Sequence, residues 1–224
     1  MSNSKLATYT KISPNKTSPR NHKIDTITIH CVVGQCTVES LGNVFASPSR
    51  QASSNYGIGA DGRIGMYVEE KDRSWCSSNR ANDHRAITIE VASDTTHPYA
   101  VTGKAYNALI NLLVDICKRN GIKKLLWKGD KSLVGNVDKQ NMTVHRWFAN
   151  KSCPGDYLYK KHGEIANEVN KRLGVDSVDE FEEDLQVLVD YGVINTPSYW
   201  RSKVTSVMYL KDLIHQMAEA LKKK

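Results

Sequence analysis

The sequence predicts an α/β fold, a mixed central β-sheet flanked by helices, followed by a small C-terminal helical region. Three observations predict it. Residues 23–30 and 86–94 alternate apolar and polar side chains with the period of a strand. Residues 103–120 and 156–173 carry apolar side chains at helical spacing. Strand and helix patterns interleave as far as Gly174, and only helical patterns follow it.

The elements follow in order. Residues 1–22 hold Lys5, Lys11, Lys16 and Arg20 with no acidic residue, and read as a basic arm, flexible or wrapped over the surface. In "KIDTITIH" (23–30), Ile27 and Ile29 point one way while Thr26, Thr28 and His30 point the other. "SNYGIGADGRIGMYVEE" (54–70) reads as a hairpin turning at Asp61-Gly62. "AITIEVASD" (86–94) sets Ile87, Ile89 and Val91 on one face and Thr88 and Glu90 on the other. A helix over 103–120 buries Ala105, Leu109, Leu112, Leu113, Ile116 and Cys117, and Gly121 ends it. "IKKLLW" (122–127) reads as a strand, and "MTVH" (142–145) as a short strand ending at His145. The helix over 156–173 turns Leu158, Ile165, Val169 and Leu173 inward.

The remainder reads as a second unit, 177–224, after a domain of residues 1–174. Ser177 and Glu180 have capping-box spacing, Thr196-Pro197 has the form of an N-cap and N1 proline, and Leu210, Leu213, Ile214, Met217 and Leu221 stripe a last helix. Three short helices are marginal as an independent fold. They read as packing on the main domain, or as a binding or dimerising module. Tyr199 and Trp200 suit either the small core or a sugar ring.

Composition narrows the function. The chain has 224 residues and a formal charge of +7. Residues 1–174 hold 25 Lys+Arg against 15 Asp+Glu, and residues 175–224 hold 6 against 9. A basic body suits an anionic partner: nucleic acid, a membrane surface or a wall polymer. No aromatic-basic motif of a nucleic-acid module is present. No apolar run is long enough for a transmembrane helix, and the N-terminus has no apolar core of a secretory signal. The expectation is a cytoplasmic protein, or one released by a route other than a cleaved signal. Five cysteines without regular spacing argue against a disulfide scaffold.

The chemistry gathers at strand ends. His30 ends one strand, His145 ends another, and Cys153 lies on the loop before the next helix. Two histidines and a cysteine, leaving a fourth position for water, describe a catalytic rather than a closed structural zinc. Glu90, a lone charge in an apolar strand, is the candidate general base. Lys151 lies two residues before Cys153 and is placed to offset an oxyanion, with Tyr56 as the alternative donor. Other readings stand beside these. Cys31 and Cys36 suit the core, a mutual disulfide, or a zinc site with His30. Glu90 has Arg85 as a possible ion-pair partner. His22, His84, His97 and His162 read as surface groups, and His215 as structural.

The segments "ITIH", "NYGIGADGRI", "SW" at 74–75, "AITIEVASD" and "TVHRWFANKSCPG" together resemble the zinc-dependent N-acetylmuramoyl-L-alanine amidases of the type-2 amidase and peptidoglycan-recognition-protein group, over residues 23–173. The resemblance implies Zn2+ on His30, His145 and Cys153, with Glu90, Tyr56 and Lys151 around the reaction centre. It implies hydrolysis of peptidoglycan and bacteriolytic action, as in phage or prophage endolysins, on a Gram-positive-type wall with anionic polymers. A host autolysin and a non-catalytic peptidoglycan binder are the alternatives. The sequence departs from the group at Cys31-Val32, at Asn55 and at Cys76, where relatives often carry histidine or a small hydroxyl residue.

Overall fold

The computed structural model describes residues 2–204, 206–207 and 209–223, and only the backbone for 176–180. Its elements in chain order are β1 (Tyr9–Thr10), β2 (Lys16–Thr17), β3 (Thr26–Cys31), α1 (Val38–Ala46), β4 (Tyr56–Ile58), β5 (Ile64–Met66), β6 (Arg73–Ser74), α2 (Arg80–Arg85), β7 (Ala86–Val91), α3 (Gly103–Asn120), β8 (Met142–Thr143), α4 (Gly155–Leu173), α5 (Asp176–Asp190), α6 (Pro197–Lys203) and α7 (Leu210–Lys222). The chain divides into two compact units, Met1–Val169 and Asn170–Lys224.

The first unit is built on a six-stranded mixed sheet in the order β1-β5-β4-β7-β3-β8. The expected hairpin is β4 antiparallel to β5, while β3 runs parallel to both β7 and β8. Register gives the sheet two different faces. Ile27 pairs with Ile87 and Met142, Ile29 with Ile89, and Ile89 with Tyr56, so these side chains share one apolar face. Thr28 pairs with Thr88 and Thr143, His30 with Glu90, and Glu90 with Gly57, which makes the opposite face polar. Helix α3 runs over the predicted residues, with Thr102 as N-cap and Gly121 left-handed at the C-cap. On the polar face, α1 lies close over Gly57. A Cβ there would collide with Leu41 and come within 2.7 Å of the Tyr67 ring, so the approach requires glycine.

Three expectations are corrected here. The arm is not flexible but is held as it wraps the surface: β1 pairs with β5, β2 pairs with β6, and Ser4, Ser13, Asn15 and Arg20 are buried. The Arg20 guanidinium donates to the carbonyls of Glu70 (2.6 Å), Asp72 (2.9 Å), His84 (2.9 Å) and Ala86 (3.1 Å), stapling the arm to three later segments. Residues 122–127 form no strand. Their backbone is held by side chains instead: Asn141 accepts from the Leu126 N–H at 2.8 Å and donates to the Lys124 carbonyl at 2.8 Å. His84 and His162 are buried rather than on the surface.

The second unit has its own core of Phe181, Leu185, Leu188, Ile194, Leu210 and Ile214, against which Trp200 packs while Tyr199 is exposed. Thr196 is the N-cap of α6 by position, but its side chain makes no capping bond. The inward face of α7 is Leu210, Ile214 and Ala218, and Leu213 and Met217 of the expected stripe are exposed. The capping box expected at Ser177 and Glu180 lies outside the described side chains. No helix among the described residues is long and apolar enough to cross a membrane.

Candidate metal centre

The site forms at the C-terminal ends of β3, β7 and β8. His30 lies next to last in β3, on the polar face and fully buried. Burial first, then the neighbouring His145 and His162, hold its pKa down to about 3, so the ring is neutral and free to act as a ligand. His145 opens a tight turn after β8. Burial, reinforced by the charge of Lys151, lowers its pKa as well. The chain then doubles back: the Arg146 N–H donates to the Cys153 carbonyl (3.1 Å), and the Arg146 guanidinium donates to Ser152 O (2.6 Å) and Asp156 (3.2 Å). This fold-back brings Cys153 to the two histidines.

One ligand atom from each of His30, His145 and Cys153 lies within 4.8 Å of the others. His30 Nδ1 is 3.3 Å from Cys153 Sγ. Zinc bonds of tetrahedral geometry would set such a nitrogen and sulfur about 3.6 Å apart, so the donor set and spacing fit zinc. The thiol itself is pushed up by its bond to the Cys31 sulfur, by burial and by Glu90, so it needs a neighbouring cation to ionise.

Glu90 stands beside His30 in register, half-buried, with its carboxyl pushed up to about 8 by burial first and then by Cys31. The alternative pairing with Arg85 does not occur, because Arg85 grips Asp25 at 2.7 and 3.0 Å. Cys31 and Cys36 are free thiols, and the two metal-competent groups among the described residues include neither. Lys151 is exposed on the ligand loop, its N–H bonded to Ala149 O at 2.8 Å.

Tyr56 is a correction. It lies in register with Ile89, on the apolar face of the sheet, away from His30 and Glu90. Its hydroxyl donates to Glu70 Oε1 at 2.7 Å and accepts from the Ser4 N–H at 2.8 Å, while Glu70 is held in turn by Arg119. Burial and the Glu70 charge push the phenol far up, so it stays a structural donor.

Sequence reasoning missed the layer beneath the ligands. The hydroxyls of Thr28 and Thr143, each two residues before a histidine of the cluster, meet at 2.7 Å. Asn82 of α2 donates to Thr28 Oγ1 (3.0 Å) and accepts from Thr143 Oγ1 (2.9 Å), locking the two ligand strands together. Ser78, in a left-handed conformation just before α2, places its hydroxyl 2.9 Å from His145 Nε2, which leaves Nδ1 to face a metal. Asp83 holds this loop by accepting from the Cys76 and Ser77 N–H groups and from Ser77 Oγ at 2.6 Å. The signal for all of it was "SSNRAND" (77–83), which has the polar density of a capped helix start.

A two-faced mixed sheet with a His-His-Cys set that could hold a metal ion, and a carboxylate beside it, defines the class: a mixed α/β domain with a candidate metal centre at its strand ends. The model of the N-acetylmuramoyl-L-alanine amidase family matches residues 20–156, and the chain belongs to that family. No curated protein sequence matches the chain. Among solved structures, PlyL is similar at a TM-score of 0.53 and 16% identity, covering 72% of this chain and 95% of that one. A Se-Met AmpD derivative is similar at 0.52 and 19%, covering 73% and 96%. The endolysine N-acetylmuramoyl-L-alanine amidase LysCS from Clostridium intestinale URNW is similar at 0.51 and 17%, covering 73% and 93%. These likenesses show the mixed α/β fold.

Proposed function

We propose that the protein is a zinc-dependent peptidoglycan hydrolase of the endolysin kind, cleaving the amide between the lactyl group of N-acetylmuramic acid and L-alanine. The observation that carries this reading is the convergence of His30, His145 and Cys153 donors within 4.8 Å. Those three residues would hold Zn2+, which when bound supplies an acidified water and polarises the scissile carbonyl. Cys153 as a thiolate removes one unit of the ion's charge. Ser78 fixes the His145 ring through Nε2. The burial that raises Glu90 lets its carboxylate take a proton and return it to the departing amine at the pH of the reaction. Lys151 brings positive charge toward the oxygen that becomes negative. With Tyr56 engaged by Glu70, Lys151 is the side chain we assign to that oxygen.

Residues 1–174 are the catalytic domain in this reading, and 177–224 are a wall-binding or dimerising module. The excess of cations in the first part favours anionic Gram-positive-type walls. The test is incubation of purified cell walls with the full chain. New amino groups should appear without new reducing sugar ends, and chelation or His145→Ala should stop their release. Reducing ends without amines would exclude the amidase, and undiminished activity after complete metal removal would exclude zinc.

A further inference from the structure

We infer that the site offers a thiophilic divalent ion a second position, held by His30, Cys76 and Glu90. This deepens the zinc reading and rests on it. The three residues each place one donor atom within 4.8 Å of the other two. Cys76 Sγ stands 3.9 Å from Glu90 Oε1. The backbone that carries it is held in place. Its N–H is anchored to Asp83 Oδ2 at 3.1 Å, and the strand before it is tied to β7 by the Ser74–Thr88 hydroxyl pair at 2.7 Å.

An independent observation points the same way. His30 Nε2 and Glu90 Oε2 are both enclosed, and neither has a hydrogen-bond partner among the described residues. Buried polar atoms are normally satisfied, and two adjacent exceptions in a cluster of soft and hard donors mark a place for a ligand. The charge also matches. A thiolate and a carboxylate neutralise a dication completely, whereas the set with His145 and Cys153 carries one negative charge. The thiolate and imidazole select zinc or cadmium over calcium or magnesium, which take oxygen ligands.

A neutral His30 ring offers one lone pair at a time, at Nδ1 beside Cys153 or at the enclosed Nε2, so one ion occupies one position or the other. The consequence is functional. An ion in the second position takes Glu90 as a ligand and removes it from proton transfer, so metal content and activity need not rise together.

The experiment is Cd2+ titration of the full chain, followed by the ultraviolet charge-transfer absorption from thiolate to cadmium. Cys153→Ser should still bind one Cd2+ with a thiolate band, now from Cys76. Adding Cys76→Ser should abolish that band and weaken binding at least about 100-fold, beyond the usual cost of an outer-shell partner. Glu90→Gln should weaken Cd2+ binding in the Cys153→Ser background far more than in wild type, which keeps the inference testable if the double cysteine variant does not fold. A Cys153→Ser protein with no thiolate band, or a band that persists without Cys76, overturns the inference. Absence of any thiolate band in the wild type would instead overturn the zinc reading beneath it.

Discussion

His162 should make the first unit lose stability in mild acid. The side chain is fully buried in α4, its Nδ1–H donating to Leu158 O at 2.6 Å, with the Trp127 ring 4.5 Å away. Burial pulls its pKa from 6.5 to about 4, partly opposed by the Leu158 carbonyl and helped by the charge of Arg146. In the unfolded chain the ring titrates near its ordinary value. Between these two values the unfolded state binds the proton and the native state does not. Its contribution is therefore complete above about pH 6.5, falls as pH drops, and reaches its full loss below about 4. A separation of about 2.5 units corresponds to about 3 kcal/mol in full, and about 2 kcal/mol by pH 5. The assay is denaturant unfolding followed by tryptophan fluorescence, at pH 7 and pH 5, for wild type and His162→Phe. The phenyl ring keeps the aromatic packing and cannot titrate. Other groups contribute equally to both proteins, so the difference between the two pH dependences isolates His162. Wild type should lose about 2 kcal/mol more than the variant across the interval. Parallel losses would show that the buried ring is not held neutral.

Further outcomes follow from the same structure. Ser78→Ala should weaken zinc binding about 10- to 100-fold by chelator competition, because His145 loses the partner that orients it, and unchanged affinity would discard that role. Arg20→Met removes the donor to four buried carbonyls and should cost at least about 3 kcal/mol in thermal or chemical unfolding. Lys151→Ala should keep zinc and lower kcat roughly 100-fold with KM little changed, and full activity would move oxyanion stabilisation elsewhere. Binding to purified walls should fall between low and high salt, and salt-independent pelleting would remove the electrostatic part of the reading.

Much of the fold was legible because its signals are local. The alternation in 26–31 and 86–91 states which side chains share a face, and the apolar spacing with Gly121 bounds α3 at its end from sequence alone. The clustering of His30, His145 and Cys153 was legible as residue types at two strand ends and on the loop that follows. What failed needed register or side-chain bonding across long separations. Tyr56 sits one residue from Gly57, and only the pairing with Ile89 decides that the phenol faces the core while the glycine faces Glu90. Residues 122–127 have strand-like composition, but Asn141 takes the backbone groups a neighbouring strand would use. The arm looked unanchored because its bonds span long separations, Arg20 meeting carbonyls about fifty to sixty-six positions away. His162 reads as one more polar position in an amphipathic helix until the aromatic cluster around it is known.

The two-residue strands at the margins of the main sheet have a consequence for behaviour at high concentration. β1 covers one side of β5 and β8 covers one side of β3, each for only two residues. Neither offers the long row of free amides and carbonyls on which another molecule could extend the sheet. Deleting residues 1–12 would bare the flank of β5, and light scattering at rising concentration would then report chains zipping together edge to edge.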